Sequence, residues 1–497
     1  MKGMFCRPTL LAGPVVLAVF TLFAALAAAT RSAGATLSPA DSGIVSPYAP
    51  SAVADVILPH STAAYNGVMT PSTTLYAPWM LGGTSSIRVF NTSMSAATVR
   101  ATFDYNPGAP VEAIIEPRAV GDIRTTNVPT ATRFSAIVTA TQPIVAVVND
   151  FGPNAAYATS YAAMPAEEGR TYFTLADILN YGDLINSEIA VQNVSESATH
   201  VTITYTRTDV FTTSHWSETF LNLSPGQTHI FHTKQAGLPA DFAGIATVRA
   251  SQSVVAAVNN PTFDELGALH PDQAYVYQAP LPGAGVGSDL PLHFPLLVNA
   301  FESWQRSEIQ MVNTAAASAN FTLEIAGATY DKSLEGWSAQ SYLQTQAGSA
   351  SPIGEAVAGR VQNVQSLEGL VWLNGQGNFR GDFLAAYSAA RVGGSAWYLP
   401  YTDQGDSFAT YVAVQNLSST IAHITLTHHT VTGTLGLYVG SIPGLETVLY
   451  TGGSGIPLNF SGGVVVEADQ SVAAVTVIAG QLILDKELYL PIVSRQS

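Results

Sequence analysis

The sequence predicts an all-β protein: four tandem two-sheet β-sandwiches of immunoglobulin-like type, following an N-terminal signal helix. Three observations point there. A short motif recurs at nearly constant spacing, apolar residues alternate with period two around each copy, and no ten-residue helical pattern occurs beyond the N-terminus.

The motif is "AVQN" at Ala190–Asn193 and Ala413–Asn416, with relatives "IRVFN" at Ile87–Asn91 and "IQMVN" at Ile309–Asn313. Its asparagines, Asn91, Asn193, Asn313 and Asn416, stand 102, 120 and 103 residues apart. Each ends an alternating run such as Ile189, Val191, Asn193, which reads as a half-buried strand. Eight residues after each asparagine a second strand opens, at Val99, Val201, Phe321 and Ile424. Its inward positions are mostly aliphatic or aromatic (Val201, Ile203, Tyr205), and its outward positions are mostly threonine (Thr202, Thr204). A constant offset of eight implies one hairpin register, and asparagine is suited to open the small polar loop by bonding to its own backbone.

Later landmarks repeat too. Turn signals fall at "IEPR", "LSPG", "LEGW" and "SIPG", and F-x-G occurs at Phe242/Gly244 and Phe460/Gly462. Gln–Ser/Pro–aliphatic then leads into apolar runs such as "VVAAVN". About seven short strands per repeat suit a sandwich, without the Cys…Trp…Cys core of true immunoglobulin domains. An aromatic–Leu–Pro type motif appears five times, at Leu75, Tyr172, Leu292, Trp397 and Leu488. It reads as a junction strand whose proline restricts it to a sheet edge or strand end.

The expected organisation is a signal peptide or anchor at 1–35, a Ser/Ala/Pro linker at 36–74, and repeats at 75–165, 166–284, 285–396 and 397–497. Lys2 and Arg7 precede an apolar run from Leu10 to Ala29, with small-residue cleavage sites after Ala29 or Ala35. An uncleaved helix is the alternative. The only cysteine, Cys6, lies before that run, so no disulfide is expected in a processed chain. Four compact domains in line would reach about 130 Å.

The repeats resemble a group of uncharacterised exported bacterial proteins with tandem β-sandwiches, "VQN" hairpins and Tyr-Leu-Pro segments, here "AVQN" twice and the terminal "LYLPIV". The resemblance covers about Leu75–Ser497 and implies an extracellular or cell-surface setting. It supplies no catalytic residues.

The net charge of −16 disfavours nucleic acid and anionic membranes as partners. His229/His232 and the neighbours His428 and His429 point to opposite faces of strands, there is no H-E-x-x-H, and "GGSG" at Gly452–Gly455 is no nucleophile elbow. No catalytic residue and no cofactor are expected. Asp403 and Asp406 in "DQGD" are thin candidates for calcium, which takes six to eight oxygens. The loop before each motif strand carries large aromatics: Trp79, Tyr181, Phe301, Trp304 and Phe408. Of these, Trp79, Tyr181, Trp304 and Phe408 are the ligand-binding candidates; stacked on sugars they would make a multivalent carbohydrate reader. Buried at domain junctions they would be plugs.

The leading reading is therefore a secreted or cell-surface, non-enzymatic structural or adhesion protein. Its expected partners are the cell envelope or other surface proteins, possible polysaccharide, and further copies through edge strands. The alternatives are the carbohydrate reader and, more remotely, a hydrolase between domains. Sequons such as those at Asn91, Asn193 and Asn416 would matter only in a glycosylating host.

Overall fold

The computed structural model describes residues 59–481, except 125–127, 130–131, 152–157, 183–184, 209–213, 262–274, 279–289, 302–303, 344–354, 363–365, 375–383 and 406–407. The signal segment, the "LPGAGVGSDLP" hinge apart from its last two residues, and the terminal "LYLP" fall outside these residues. Residues 56–497 form one compact unit. It is almost wholly β; the single short 3₁₀ turn among the described residues is Ala166–Glu168.

An opening strand, β1 (Pro59–Asn66), precedes the first repeat. Repeat 1 then supplies β2 (Ser72–Leu81), β3 (Ser85–Asn91), β4 (Ala97–Phe103), β5 (Val111–Ile115), β6 (Val120–Arg124), β7 (Arg133–Phe151), β8 (Ala158–Ala162) and β9 (Met164–Pro165). Repeat 2 supplies β10 (Arg170–Asn180), β11 (Glu188–Asn193), β12 (Thr199–Arg207), β13 (His215–Leu223), β14 (Thr228–His232), β15 (Phe242–Asn260) and β16 (Tyr275–Gln278). Repeat 3 supplies β17 (Leu292–Phe301), β18 (Trp304–Asn313), β19 (Ala319–Ile325), β20 (Ala328–Leu334), β21 (Ala339–Leu343), β22 (Glu355–Gln362), β23 (Leu367–Asn374) and β24 (Leu384–Ser388). Repeat 4 supplies β25 (Gly394–Asp403), β26 (Phe408–Asn416), β27 (Ala422–Thr430), β28 (Gly433–Ile442), β29 (Thr447–Gly452), β30 (Gly455–Ile456) and β31 (Ser461–Gln481).

One wiring rule serves all four. In repeat 1 the first half of the long strand β7 pairs with β4 and β2, and β5 flanks β4; its second half pairs with β3 and β8, and β6 flanks β3. Both halves face one core, which holds Leu75, Ile87, Val99, Phe134 and Val148. Repeats 2 and 4 bend one long strand, β15 or β31, in the same way, whereas repeat 3 divides it into β22 and β23. The inward positions read from the sequence are buried in every copy, from Val99, Ala101 and Phe103 to Ile424, Leu426 and His428.

The F-x-G glycines have a steric cause. A Cβ on Gly244 would lie 2.1 Å from the Thr206 carbonyl oxygen, and one on Gly462 would lie 2.0 Å from that of His429. Four aromatic–Leu–Pro type copies open their repeats as β2, β10, β17 and β25. The pairing register slips just there, between Ala77 and Met80, Leu175 and Ile178, Phe294 and Leu297, and Leu399 and Thr402. Pro78, Pro295 and Pro400 thus sit in bulges, where a missing N–H costs no ladder bond.

The linker expected at 36–74 contains a strand. Residues 59–66 are not linker: β1 pairs antiparallel with the second half of β31, from Asn66 against Val475 to Pro59 against Gln481. It supplies to repeat 4 the strand that β8, β16 and β24 supply to the other three. Alanine and serine looked like linker composition, but Ala63 and Ala64 are only 2% exposed, packed into the cores of repeats 4 and 3.

Packing closes the circle. The outer face of the second sheet of repeat 2 (Ala190, Val255, Ala257, Val276) packs into the core of repeat 1. Repeat 3 (Leu370, Trp372, Ala386) packs likewise into repeat 2, and repeat 4 (Ala413, Val475, Val477) into repeat 3. Repeat 1 (Val147, Ala158) packs into repeat 4. The strands β1, β8, β16 and β24 touch one another in the same cyclic order. The four repeats form a ring, not the in-line array expected from the sequence. This is also why β11 is buried at every position rather than at alternate ones: one face meets its own core and the other its neighbour's.

Candidate functional site at the repeat junctions

The repeated asparagine does one local job four times. Asn193 Nδ2 donates to the Ser197 and Leu223 carbonyls at 2.8 and 2.9 Å, and its Oδ1 accepts from the Ser195 N–H at 2.9 Å. Asn91 donates to Ser95, Ile115 and Glu116 and accepts from Ser93. Asn313 and Asn416 repeat the pattern with Ala317 and Leu334, and with Thr420 and Ile442. All four are 0% exposed. Each closes its hairpin loop and ties it to the following turn. In that turn of repeat 2, Gly226 sits at φ +76, where glycine is unstrained.

The neighbouring glutamine joins repeats. Gln192 Nε2 donates to Ala136 O on β7 at 3.3 Å, and Gln415 Nε2 donates to Gly359 O on β22 at 3.2 Å. Repeat 1 has Phe90 there instead, against Tyr398 and His429 of repeat 4 with ring centroids 6.0 and 4.9 Å away.

Trp79, a sugar-stacking candidate, is 3% exposed and lies in the junction of repeats 1 and 2. Its Nε1 donates to Glu188 Oε2 at 3.1 Å, while Arg133 and Asn259 bind the same carboxylate. No ring face remains for a ligand, so Trp79 is a junction residue. Phe408 is half-buried and stacks at 4.9 Å on Phe151 of repeat 1, which also meets Tyr401 at 5.5 Å. Arg88 lies 5.0 Å over that Tyr401 ring and pairs with Asp122 at 2.5 Å. Tyr181 is half-buried, with its N–H on the Ile185 carbonyl at 2.8 Å. Trp304 opens β18; its side chain, and that of Phe301, lie outside the described residues. The four candidates are thus not brought together on one face: Trp79 and Phe408 belong to different junctions.

Asp403 is spent on its own loop. It accepts from Gly405 N–H at 2.9 Å and from the Tyr401 and Ser461 hydroxyls at 3.3 Å each. Asp406 lies outside the described residues, among which no three His, Cys, Asp or Glu side chains gather to hold a metal ion.

His428 is 3% exposed and bonds Gly455 O through Nε2 at 2.7 Å, a core histidine at a sheet end. His429 beside it is pushed down to about 4 by burial and by the nearby Arg118 charge. His293 is also pushed down to about 4, by burial and then by Arg360. An open cleft of about 620 Å³ lies between repeats 3 and 4, lined in part by Glu324, Glu355, Arg360 and Glu446. Arg360 is paired with Glu324 at 2.7 Å, and no aromatic ring lines the cleft.

One feature escaped the sequence reading. Each closing strand carries a buried tyrosine whose hydroxyl clasps the bulge of the first strand in the same repeat. Tyr65 donates to Tyr401 O at 2.6 Å and accepts from Tyr401 N–H at 3.1 Å. Tyr161 does the same with Trp79 at 2.5 and 3.1 Å. Tyr387 clasps Leu296 in both directions, and Tyr277 donates to Ala176 O. Burial raises all four phenols well above the usual range, so they stay protonated donors. One residue further on, Asn66 exchanges bonds with the Ser388 backbone at 2.8 and 3.1 Å, and Gln278 Oε1 accepts from Ala162 N–H at 3.1 Å. The signal was present: "AAYN", "TSYA", "YVYQ" and "AAYS" each set a tyrosine before a small or amide residue, and the first copy precedes repeat 1.

No family model and no curated protein matches the chain. A solved tetra-tandem repeat from the extending region of a large adhesion protein aligns over 84% of this chain and 98% of that one, at 12% identity and TM-score 0.11. A likeness that slight carries no argument about fold or role.

Proposed function

We propose that the chain is an exported, non-enzymatic structural or adhesion protein whose working part is a closed four-repeat head. The carrying observation is the cyclic packing, in which each repeat's outer face fills its neighbour's core and Trp79 and Phe408 are held at junctions. The strands β4, β12 and β27 of the first sheets alternate buried residues with more exposed ones, mostly threonine, and each first sheet ends on an edge strand, β5, β13, β20 or β28. Such a head offers four related surfaces at fixed mutual angles, and this favours contact with an envelope or a neighbouring surface protein over action on a small substrate. Export rests on Lys2, Arg7 and the apolar run after them. The bacterial surface setting rests on the resemblance of the "VQN" repeats to exported arrays.

The test is co-sedimentation of residues 36–497 with isolated cell envelopes and with insoluble polysaccharides, with and without chelator. The proposal expects envelope binding that survives chelation and is unchanged by Trp304→Ala. Binding to polysaccharide that Trp304→Ala abolishes, in protein that still folds, would favour the carbohydrate reader instead.

A further inference from the structure

The four repeats end their first sheets on equivalent edge strands, β5, β13, β20 and β28. Three carry charge that blocks edge-to-edge pairing. β5 has Glu112, facing Arg100 at 3.8 Å. β13 has Glu218 opposite the inward Ile203, hydrogen-bonded to the Tyr205 hydroxyl. β20 has Asp331, and Lys332 lies opposite Phe321 and 5.5 Å from the Tyr342 ring. β28, "GTLGLYVGSI", has no charged residue. Along its outer face Leu435, Leu437 and Val439 are 58%, 67% and 63% exposed, and Val431 beside it is 64% exposed. On the other face, nothing lies within 4 Å of where a Cβ on Gly436 would stand.

We propose that β28 is a self-pairing edge through which two copies of this chain join antiparallel into one continuous sheet. A second copy fits for three reasons. An uncharged strand facing its own copy brings no like charges together, although each chain carries −16. The surface is the same on both partners, as a two-fold interface requires. Each ring has one such edge, so pairing stops at the dimer. The strand is ten residues long, about 33 Å, and a strip roughly 10 Å wide covers about 330 Å² per partner. That falls below the ~1,200 Å² total of stable complexes, so the dimer is weak and concentration-dependent.

The experiment is sedimentation equilibrium of the whole chain from about 1 to 200 µM, beside Leu437→Lys and Val439→Lys. Both positions are exposed, so each variant should melt like the parent. Expected are a monomer–dimer equilibrium strengthened by salt, a loss of affinity of tenfold or more in either variant, and concentration-dependent amide protection confined to β28. A monomer throughout, or a dimer indifferent to both substitutions, would overturn the proposal. So would a dimer seen only after removal of residues 482–497, because the chain's own tail would then be the occupant. A monomeric ring that still binds envelopes would refute this inference and leave the structural reading standing.

Discussion

Replacing Tyr65 by phenylalanine removes one oxygen from a strand that the composition would pass over as linker. The side chain is 2% exposed, and its hydroxyl is the partner of both the N–H and the carbonyl of Tyr401, itself 6% exposed. No water-accessible replacement is at hand. Leaving a buried polar group unpaired costs about 1–3 kcal/mol, so two such groups, partly relaxed, cost about 2–4 kcal/mol. At roughly 2–4 °C per kcal/mol for a cooperative unit of about two repeats, the melting temperature should fall by about 4–16 °C. Tyr161→Phe, the same substitution in repeat 1, should cost about as much. The assay is paired thermal and urea denaturation, with hydrogen exchange read at residues 475–481. A Tyr65→Phe change within about 0.5 kcal/mol of the parent, as expected of an ordinary surface residue, would refute the reasoning while Tyr161→Phe served as control.

Other outcomes follow from the same structure. Asn193→Ala should cost about 1–3 kcal/mol and speed amide exchange in its hairpin loop and at the following turn, because three buried bonds go at once. His429 and His293 have folded pKa values lowered to about 4, so their neutral forms are favoured in the folded state. Their contribution is complete above the unfolded value of ~6.5 and is lost as pH falls from there toward 4. A His293→Gln/His429→Gln variant should therefore lose less stability than the parent between pH 7 and 4.5 in urea titrations. In a glycosylating host, glycopeptide mapping of folded protein should find no glycan on Asn91, Asn193 or Asn416, whose amides are buried and bonded; a glycan there on folded protein would contradict the burial.

Much of the repeat was legible because its signals are local. Period two along Val201, Ile203 and Tyr205 marks a face, and the spacing from Asn193 to Val201 marks a register. Even the role of the asparagine could be read, because its partners lie within its own loop and the next turn. What could not be read is what happens between repeats. Burial of both faces of β11 depends on the presence of a neighbour, and an alternating strand looks the same with or without one. Trp79 illustrates this: in the sequence it can be a sugar platform or a junction plug, and only the position of Glu188 109 residues later decides for the plug. Closure was hidden for a different reason. Tyr65 and Tyr401 are 336 residues apart, and the small residues that let β1 pack at the axis mimic a flexible tether.

The closed ring is the claim on which the rest depends, and solution scattering tests it directly. The compact unit, residues 56–497, should give a radius of gyration of about 22 Å if its repeats close on one another. Four repeats in line, about 130 Å end to end, would give roughly 38 Å. A value near the lower figure, rising when residues 56–66 are removed, is the expected result. A value near the higher one, unmoved by that deletion, would contradict closure.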